Sequence, residues 1–272
     1  MTEPHPDPAG ATELDRPHPH LRVSREGVVL RVTLDRPERR NAQTPSLWLA
    51  LAQVATTLDP AIRVVVLGGE GPSFSAGLDR ALLTPGGIPG EPDLLALAAD
   101  GPGLAAERIE AFQRGFSAWQ QVDAVVIASV QGHAIGAGFQ LALAADLRVV
   151  ADDVQFAMRE TSLGLVPDLG GTAPIVAAVG SSRALEICAT GRFVGAEEAV
   201  ALGLATIAVP ATALRETTDD LVAALLAAPE AALRELKPLL VGVQAAARSD
   251  QLRREREAQG RLLHGLVGRA QS

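Results

Sequence analysis

Residues 124–140 read AVVIASVQGHAIGAGFQ, and this stretch decides the fold class of the chain. Its first seven residues form an almost unbroken apolar run, which is typical of a strand buried on both faces of a parallel sheet. Glycines at 132, 136 and 138 then indicate a turn, and residues 137–145 predict a helix. Ligands of open α/β sheets bind beyond the carboxyl ends of the strands, so this strand–turn–helix unit is a candidate site.

The same alternation of strand and helix extends outward on both sides. Residues 28–34, 63–67 and 147–150 predict further strands, because they are dominated by Val and Leu. Helical spacing of apolar residues predicts helices over 41–58 and 105–121. Strands that alternate with helices imply parallel βαβ crossovers, so we expect an α/β core.

The two ends of the chain differ from this core. Residues 1–20 are rich in Pro, His and Asp and predict a disordered arm, whereas the Gly- and Pro-rich residues 84–103 predict a mobile loop over a site. The last third is almost wholly helical by pattern, with helices predicted at 173–179, 182–190, 196–202, 212–228 and 229–247. We therefore divide the chain into an arm (1–20), an α/β core (21–210) and a C-terminal helical region (211–272).

Composition and charge argue against several classes of protein. The 272 residues include 24 Lys plus Arg and 32 Asp plus Glu, and the net charge of −8 disfavours a general nucleic-acid surface. The single cysteine, Cys188, cannot close an intramolecular disulfide, and no Cys/His cluster has zinc spacing. No apolar run approaches the ~20 residues that cross a bilayer, and the N-terminus does not resemble a signal peptide. We expect a cytoplasmic protein that binds no membrane, nucleic acid or metal.

Two turns combine small residues with a position after a buried strand, namely 71–79 and 131–140. Small residues let the backbone approach a ligand closely, and a helix that begins there aims unpaired N–H groups at it. Two such N–H groups that converge would form an oxyanion hole, which stabilises charge on a carbonyl oxygen. Gly-rich turns are also common wherever strands meet helices, so a purely structural role stays open.

A few polar side chains are candidates for chemistry. Glu160 lies among apolar neighbours, where burial can raise the pKa of a carboxyl group and suit it to acid–base work, but the local sequence favours the structural interpretation, an ion pair with Arg159. Asp168 has the same two interpretations, the structural one being a cap on the next helix. His133 has no GxSxG serine or partner aspartate, so we interpret it as structural, and Cys188 as a core residue.

Five short segments together resemble a known family: LDRPERRNA (34–42), FSAGLD (74–79), GHAIGAG (132–138), LGLVP (163–167) and GAEEAVALGL (195–204). Their order and spacing are similar to those of the crotonase superfamily, also called the enoyl-CoA hydratase/isomerase family. The resemblance extends from about residue 22 to the C-terminus. It implies a spiral α/β core of repeated ββα turns with a C-terminal helical region.

The resemblance also implies a substrate and a set of binding residues. Family members bind an acyl-CoA thioester and stabilise its enolate with two backbone N–H groups, which here match Leu78 and Ala137. Arg39, Arg40 and Arg80 are the nearest cations for the CoA phosphates. The implied CoA contacts are Arg40, Ala42, Ala76, Asp79 and Arg80.

The implied acid–base groups depart from the family pattern. Hydratases of this family generally carry two glutamates twenty positions apart; Glu160 matches the second, but position 140 holds Gln140. An amide can orient water but has no proton to exchange. Asp168 matches a position that is a catalytic aspartate in some relatives, including dienoyl-CoA isomerases. A Glu160/Asp168 pair could therefore shuttle a proton between two carbons.

Three hypotheses remain open at this point. The favoured one is enoyl-CoA double-bond isomerisation by Glu160 and Asp168. The alternatives are an enoyl-CoA hydratase of the fatty-acid β-oxidation type that uses Glu160, helped by Gln140 or Asp168, and a catalytically weak acyl-CoA-binding protein. The family implies no cofactor besides the CoA of its substrate, and a homotrimer or dimer of trimers. An Arg-rich amphipathic helix predicted at 249–268 suits such an interface.

Overall fold

The computed structural model describes residues 12–13, 16–99 and 101–242, together with residues 252, 253, 256, 257, 259, 260 and 264. Nine strands are present in this part of the chain: β1 (Thr12–Glu13), β2 (Leu21–Glu26), β3 (Val29–Leu34), β4 (Val64–Gly69), β5 (Val125–Val130), β6 (His133–Ile135), β7 (Leu147–Ala151), β8 (Gln155–Ala157) and β9 (Ile207–Val209). The helices there are α1 (Pro45–Thr56), α2 (Leu94–Ala99), α3 (Pro102–Ser117), α4 (Ala137–Ala144), α5 (Thr172–Thr190), α6 (Ala196–Ala201), α7 (Leu214–Ala227) and α8 (Glu230–Gly242).

Seven strands form the main sheet, in the order β1-β2-β3-β4-β5-β7-β9. β1, β2 and β3 pair antiparallel, and every pairing from β3 to β9 is parallel. The predicted α/β core is therefore confirmed, including its parallel crossovers. The run of Val and Leu in β4 has a physical reason, because Val64 and Val66 pack into one apolar cluster and Val65 and Leu67 into the other.

A second, two-stranded parallel sheet holds the part of the fold that positions the site. β6 follows β5 and β8 follows β7, and the two short strands pair in register from His133↔Gln155 to Ile135↔Ala157. β5, β6 and α4 thus form a ββα unit, as the family resemblance implies. Gly132, with φ of +54°, makes the corner between β5 and β6, where a Cβ atom would lie 2.1 Å from Pro72 O.

The predicted elements agree with the structure except in a few segments. The helix predicted from residue 41 begins only at Pro45, and β2, β6, β8 and β9 have no counterpart in the prediction. The prediction of one loop over 84–103 is wrong in part, because α2 and the start of α3 lie there. The helices predicted at 173–179 and 182–190 form one element, α5, which is kinked at Gly180.

The ends of the chain are described only in part. Disorder of the arm is wrong for its described residues, because β1 pairs with β2 and the His18 ring lies 2.9 Å from Ser46 Oγ; residues 1–11, 14 and 15 lie outside the described residues. The predicted helix at 249–268 lies mostly outside them too, and the homotrimer or dimer of trimers stays a prediction. Among the described residues, no helix combines the length and apolarity needed to span a bilayer.

Candidate active site

Two backbone segments meet beside β6 because strand-like hydrogen bonds join them. Ser75 N donates to His133 O at 2.9 Å, and Ile135 N donates to Ser75 O at 3.0 Å. Gly77, with φ of +84°, follows this ladder, and a Cβ atom there would lie 2.3 Å from Ile135 O and 3.4 Å from Ala137 N. Only glycine fits at that position, and the contact brings residues 76–78 against residues 135–137.

Leu78 and Ala137 present their backbone amides in this contact. Ala137 is the first residue of α4, so its N–H belongs to the unpaired first turn of the helix. Within the described part of the chain, neither the Leu78 nor the Ala137 amide donates a hydrogen bond to protein. Both residues line one cavity, and the positive end of α4 lies at the same place.

This cavity has a volume of about 500 Å³, which is in the range of small-molecule sites. Most of its lining is apolar. Its lining residues are Trp48, Ala76, Gly77, Leu78, Arg80, Leu83, Leu94, Ala105, Ile109, Phe112, Ile135, Gly136, Ala137, Gln140, Arg159, Glu160, Ser162, Leu163, Leu165, Asp168, Leu169, Phe193 and Gln259. The few polar side chains among them are therefore the candidates for chemistry.

Glu160 places a carboxyl group with a strongly raised pKa on the cavity. Its Oε1 accepts a hydrogen bond of 2.8 Å from Gln140 Nε2, while Oε2 is buried and has no hydrogen-bond partner among the described residues. Burial raises the pKa of Glu160 to about 7, and the nearby main-chain amides of Glu160 and Arg159 and the Gln140 side chain only partly oppose this. A carboxyl group with that pKa can both take and give a proton near neutral pH.

The ion pair weighed for Glu160 is absent from this structure. The Arg159 guanidinium lies over the ring of Phe193 instead, with Cζ 5.8 Å from the ring centroid. Within the described residues, Glu160 is thus a buried carboxyl group without a cationic partner. This favours the functional interpretation of Glu160 over the structural one.

Gln140 and Asp168 lie on the same cavity as Glu160. Gln140 is 1% exposed, and its Oε1 accepts from Leu169 N at 2.9 Å and from Gly171 N at 3.2 Å. The main-chain oxygen of Asp168 accepts from Gln113 Nε2 at 2.7 Å. The structure therefore brings together the three positions that the family pattern singles out, although they are separated by up to 28 residues in sequence.

Comparison with known proteins agrees with this geometry. The family model described as Enoyl-CoA hydratase/isomerase matches residues 24–271. The chain belongs to this family. It is therefore an enzyme of the lyase or isomerase type, with the crotonase fold.

Individual members of the enoyl-CoA hydratase/isomerase family are similar over most of the chain. Carnitinyl-CoA dehydratase of Escherichia coli K12 is 36% identical over 208 residues, which is 75% of this chain and 74% of the relative. A Thermobifida fusca YX protein assigned as an enoyl-CoA hydratase, solved in complex with acetoacetyl-CoA, is 43% identical with a TM-score of 0.79, and the match covers 93% of this chain and 96% of that one. An enoyl-CoA hydratase from Mycobacterium avium subsp. paratuberculosis K-10 is 29% identical with a TM-score of 0.75, over 90% of each chain.

Some of the CoA contacts implied by the family resemblance line or adjoin the cavity, and others do not. Ala76 and Arg80 line the cavity, and Ala76 N donates to Arg40 O at 2.8 Å, so the Arg40 main chain adjoins a lining residue. Ala42 is buried behind this layer and does not line the cavity. Arg39, Arg40 and Arg80 are exposed and make no ion pair with another described residue, so their charges are available to an anion.

Asp79 holds the turn together rather than facing the cavity. Its carboxylate accepts from Arg36 Nη1 at 2.8 Å and from Ala81 N at 3.1 Å, and the residue is 6% exposed. The second bond caps the 3-10 turn formed by residues 80–83. The Asp79 side chain therefore fixes the position of Arg80, and its own oxygens are already in use.

His133 and Cys188 have surroundings consistent with structural roles. His133 Nδ1 lies 3.4 Å from Ser73 Oγ, and the ring packs edge-on against Phe193. Cys188 is half-buried against the main core. Burial first, and then the negative charge of Glu160, raise the pKa of the Cys188 thiol to about 11.

Sequence reasoning missed most of the apolar lining of the cavity. Trp48, Ile109 and Phe112 come from α1 and α3, and Leu94 comes from α2, inside the segment predicted as a loop. Periodicity indicated that α1 and α3 bury one face, but it does not distinguish a face against protein from a face against ligand. Phe193, which follows α5, carried no signal at all.

Proposed function

We propose that this protein moves a proton on the acyl chain of an enoyl-CoA thioester, with Glu160 as the acid–base group. The amides of Leu78 and Ala137 would bind the thioester oxygen and stabilise the enolate that forms when a proton leaves the neighbouring carbon. Exposed Arg39, Arg40 and Arg80 would bind the CoA phosphates at the mouth of the cavity. The acetoacetyl-CoA bound to the Thermobifida fusca relative supports this class of substrate.

The Glu160 carboxyl group carries this proposal. It is buried, its pKa is raised to about 7, and it borders the same cavity as the two free amides. For isomerisation, Glu160 takes a proton from one carbon of the acyl chain and the electrons move onto the thioester oxygen. The proton then returns to the carbon two bonds away, so the double bond migrates and the carboxylate is regenerated. Asp168 would assist on the second carbon.

Hydration or dehydration is the second candidate. Its support is the 36% identity to carnitinyl-CoA dehydratase and the 43% identity to a relative assigned as an enoyl-CoA hydratase. Adding water requires a base for the water as well as an acid for the carbon, and Gln140 cannot be that base. Asp168 would then have to activate the water, which makes it the residue that decides between the two reactions.

Product analysis tests the proposal directly. The purified protein is incubated with trans-2-enoyl-CoA, trans-3-enoyl-CoA and dienoyl-CoA thioesters, and mass spectrometry separates isomers from products that have gained water. We expect double-bond migration without a gain of water, and Asp168→Asn should lower it. Gain of water as the main product would favour hydration. Binding of all three thioesters without turnover would leave only an acyl-CoA-binding protein.

A further inference from the structure

The Gln140 side chain is held in one orientation by its hydrogen bonds. Its Oε1 accepts from the main-chain amides of Leu169 and Gly171, at 2.9 and 3.2 Å, so its Nε2 is the end that faces Glu160. A reversed amide would direct its NH₂ group at two N–H donors and its oxygen at a carboxylate. Backbone groups therefore decide that position 140 offers a donor to Glu160.

Packing confines Gln140 as well. A Cβ atom on Gly171 would lie 2.6 Å from Gln140 Cγ, so the glycine leaves just the space that the side chain occupies. Gln140 lies three residues after Ala137 on α4, and residues with that spacing share a helix face. One helix thus carries both an amide of the proposed oxyanion hole and the side chain that holds the carboxyl group.

The two oxygens of Glu160 differ in their surroundings. Gln140 binds Oε1, and a Cβ atom on Gly136 would lie 3.2 Å from that same oxygen. Oε2 is buried without a partner among the described residues. We infer that Gln140 is a positioning residue, which binds Oε1 of Glu160 and so fixes the orientation of the carboxyl group that exchanges the proton with the acyl chain. This inference rests on the proposed function and names the residue that orients its acid–base group.

The neutral charge of Gln140 has a consequence for this proton transfer. A carboxylate in its place would lie about as close to Glu160 as the 2.8 Å of the present hydrogen bond. Two carboxylates at that distance share one proton and titrate as a coupled pair. With Gln140, Glu160 titrates alone, and the hydrogen bond favours its charged form. The pair of residues 140 and 160 then holds one titratable carboxyl group instead of two.

The positioning role of Gln140 can be tested in the free protein by carbon-13 NMR of the glutamate carboxyl groups. The Glu160 signal is assigned by its loss in Glu160→Gln. In Gln140→Leu the Glu160 carboxylate loses its donor, so we expect its titration midpoint to rise by about one pH unit. The acid limb of the pH profile of kcat/KM should move with it. An unchanged midpoint in a folded variant would overturn the inference. Because the titration needs no substrate, its result is independent of whether enoyl-CoA turns out to be the substrate.

Two further variants cover the case in which Gln140→Leu does not fold. Gln140→Glu is isosteric and keeps an acceptor for the amides of Leu169 and Gly171, so we expect two coupled titration steps and, at pH 7, at least about tenfold slower solvent-deuterium exchange into the acyl chain. The double variant Gln140→Glu with Glu160→Gln keeps one carboxylate and one amide but exchanges their positions. We expect it to lose turnover. Turnover in the double variant, or a gain of hydration in Gln140→Glu, would show that position 140 reaches the reacting atoms and would overturn its positioning role.

Discussion

The cavity is bordered by two regions that are built in different ways. The amide wall consists of residues 76–78 and 135–137, and it offers backbone N–H groups placed by strand pairing and by Gly77. The carboxylate wall consists of Gln140, Glu160 and Asp168, and it offers side chains. A backbone donor survives most changes of its own side chain, whereas a carboxyl group disappears with a single substitution. The first region therefore depends on shape and the second on residue identity.

The largest effect is expected on the carboxylate wall. Glu160→Gln keeps the size of the side chain and removes the exchangeable proton, so kcat should fall by roughly 10²–10⁴-fold while acyl-CoA still binds. Steady-state kinetics and a binding titration measure the two quantities. Glu197→Gln is the matched control, because Glu197 is exposed and does not line the cavity. Unchanged turnover in Glu160→Gln would remove this residue from the mechanism.

A somewhat smaller loss of kcat is expected on the amide wall. The residue to change there is the glycine that places the wall, because the donors are backbone groups. Gly77→Ala would place Cβ 2.3 Å from Ile135 O, so the wall must shift and kcat should fall by about 10²-fold. Gly27→Ala is the control: Gly27 also has positive φ, but nothing lies within 4 Å of its Cβ position. The prediction fails if Gly77→Ala and Gly27→Ala lose the same amount of stability and both keep the wild-type kcat. The activity would then not depend on the close backbone contact at Gly77.

The ionised Glu160 carboxylate should also lower the free energy of unfolding of the protein at alkaline pH. Because the pKa of Glu160 is raised from 4.5 to about 7, the folded state binds this proton more tightly than the unfolded chain does. The resulting stabilisation is complete below pH 4.5 and is lost as pH rises through 7. Glu160→Gln should therefore match the wild type at pH 4 and exceed its free energy of unfolding by about 1–3 kcal/mol at pH 8. Denaturant unfolding at both pH values measures this, and equal stability at pH 8 would contradict it.

The smallest effect concerns an arginine beside the amide wall. Arg80→Gln removes an exposed charge that has no ion pair with the described residues, so KM for acyl-CoA should rise a few-fold and kcat should stay nearly constant. Added salt should narrow the difference between the variant and the wild type, because exposed charges are screened. A fall in kcat instead would show that the 3-10 turn at residues 80–83 helps to position the amide wall.

The same distinction explains how much of the molecule could be predicted from its sequence. The buried strands β4 and β5 could be predicted because strands covered on both faces appear in the sequence as apolar runs. The turns that contain Gly77 and Gly132 could be predicted because close backbone contacts there exclude other residues. The strands β6, β8 and β9 are only three residues long, which is too short for a periodic pattern.

Side-chain roles at the site were harder to predict, because they depend on contacts between distant parts of the chain. That Arg159 makes no ion pair with Glu160 could be seen only from the position of the guanidinium, which lies over the ring of Phe193. From the sequence, Gln140 was interpreted as an amide that can orient water but cannot exchange a proton. Its bonds to Leu169 and Gly171, about thirty residues away, are not visible in any local pattern.

The half-buried thiol of Cys188 has a bearing on the choice of substrate. Enoyl thioesters are electrophiles that alkylate thiolates by conjugate addition, and only the deprotonated sulfur is strongly nucleophilic. The chain has one cysteine, and with a pKa of about 11 its sulfur is almost wholly protonated at neutral pH. Burial, and after it the negative charge of Glu160, thus keep this sulfur protonated, which slows its addition to an enoyl thioester of the kind proposed as substrate.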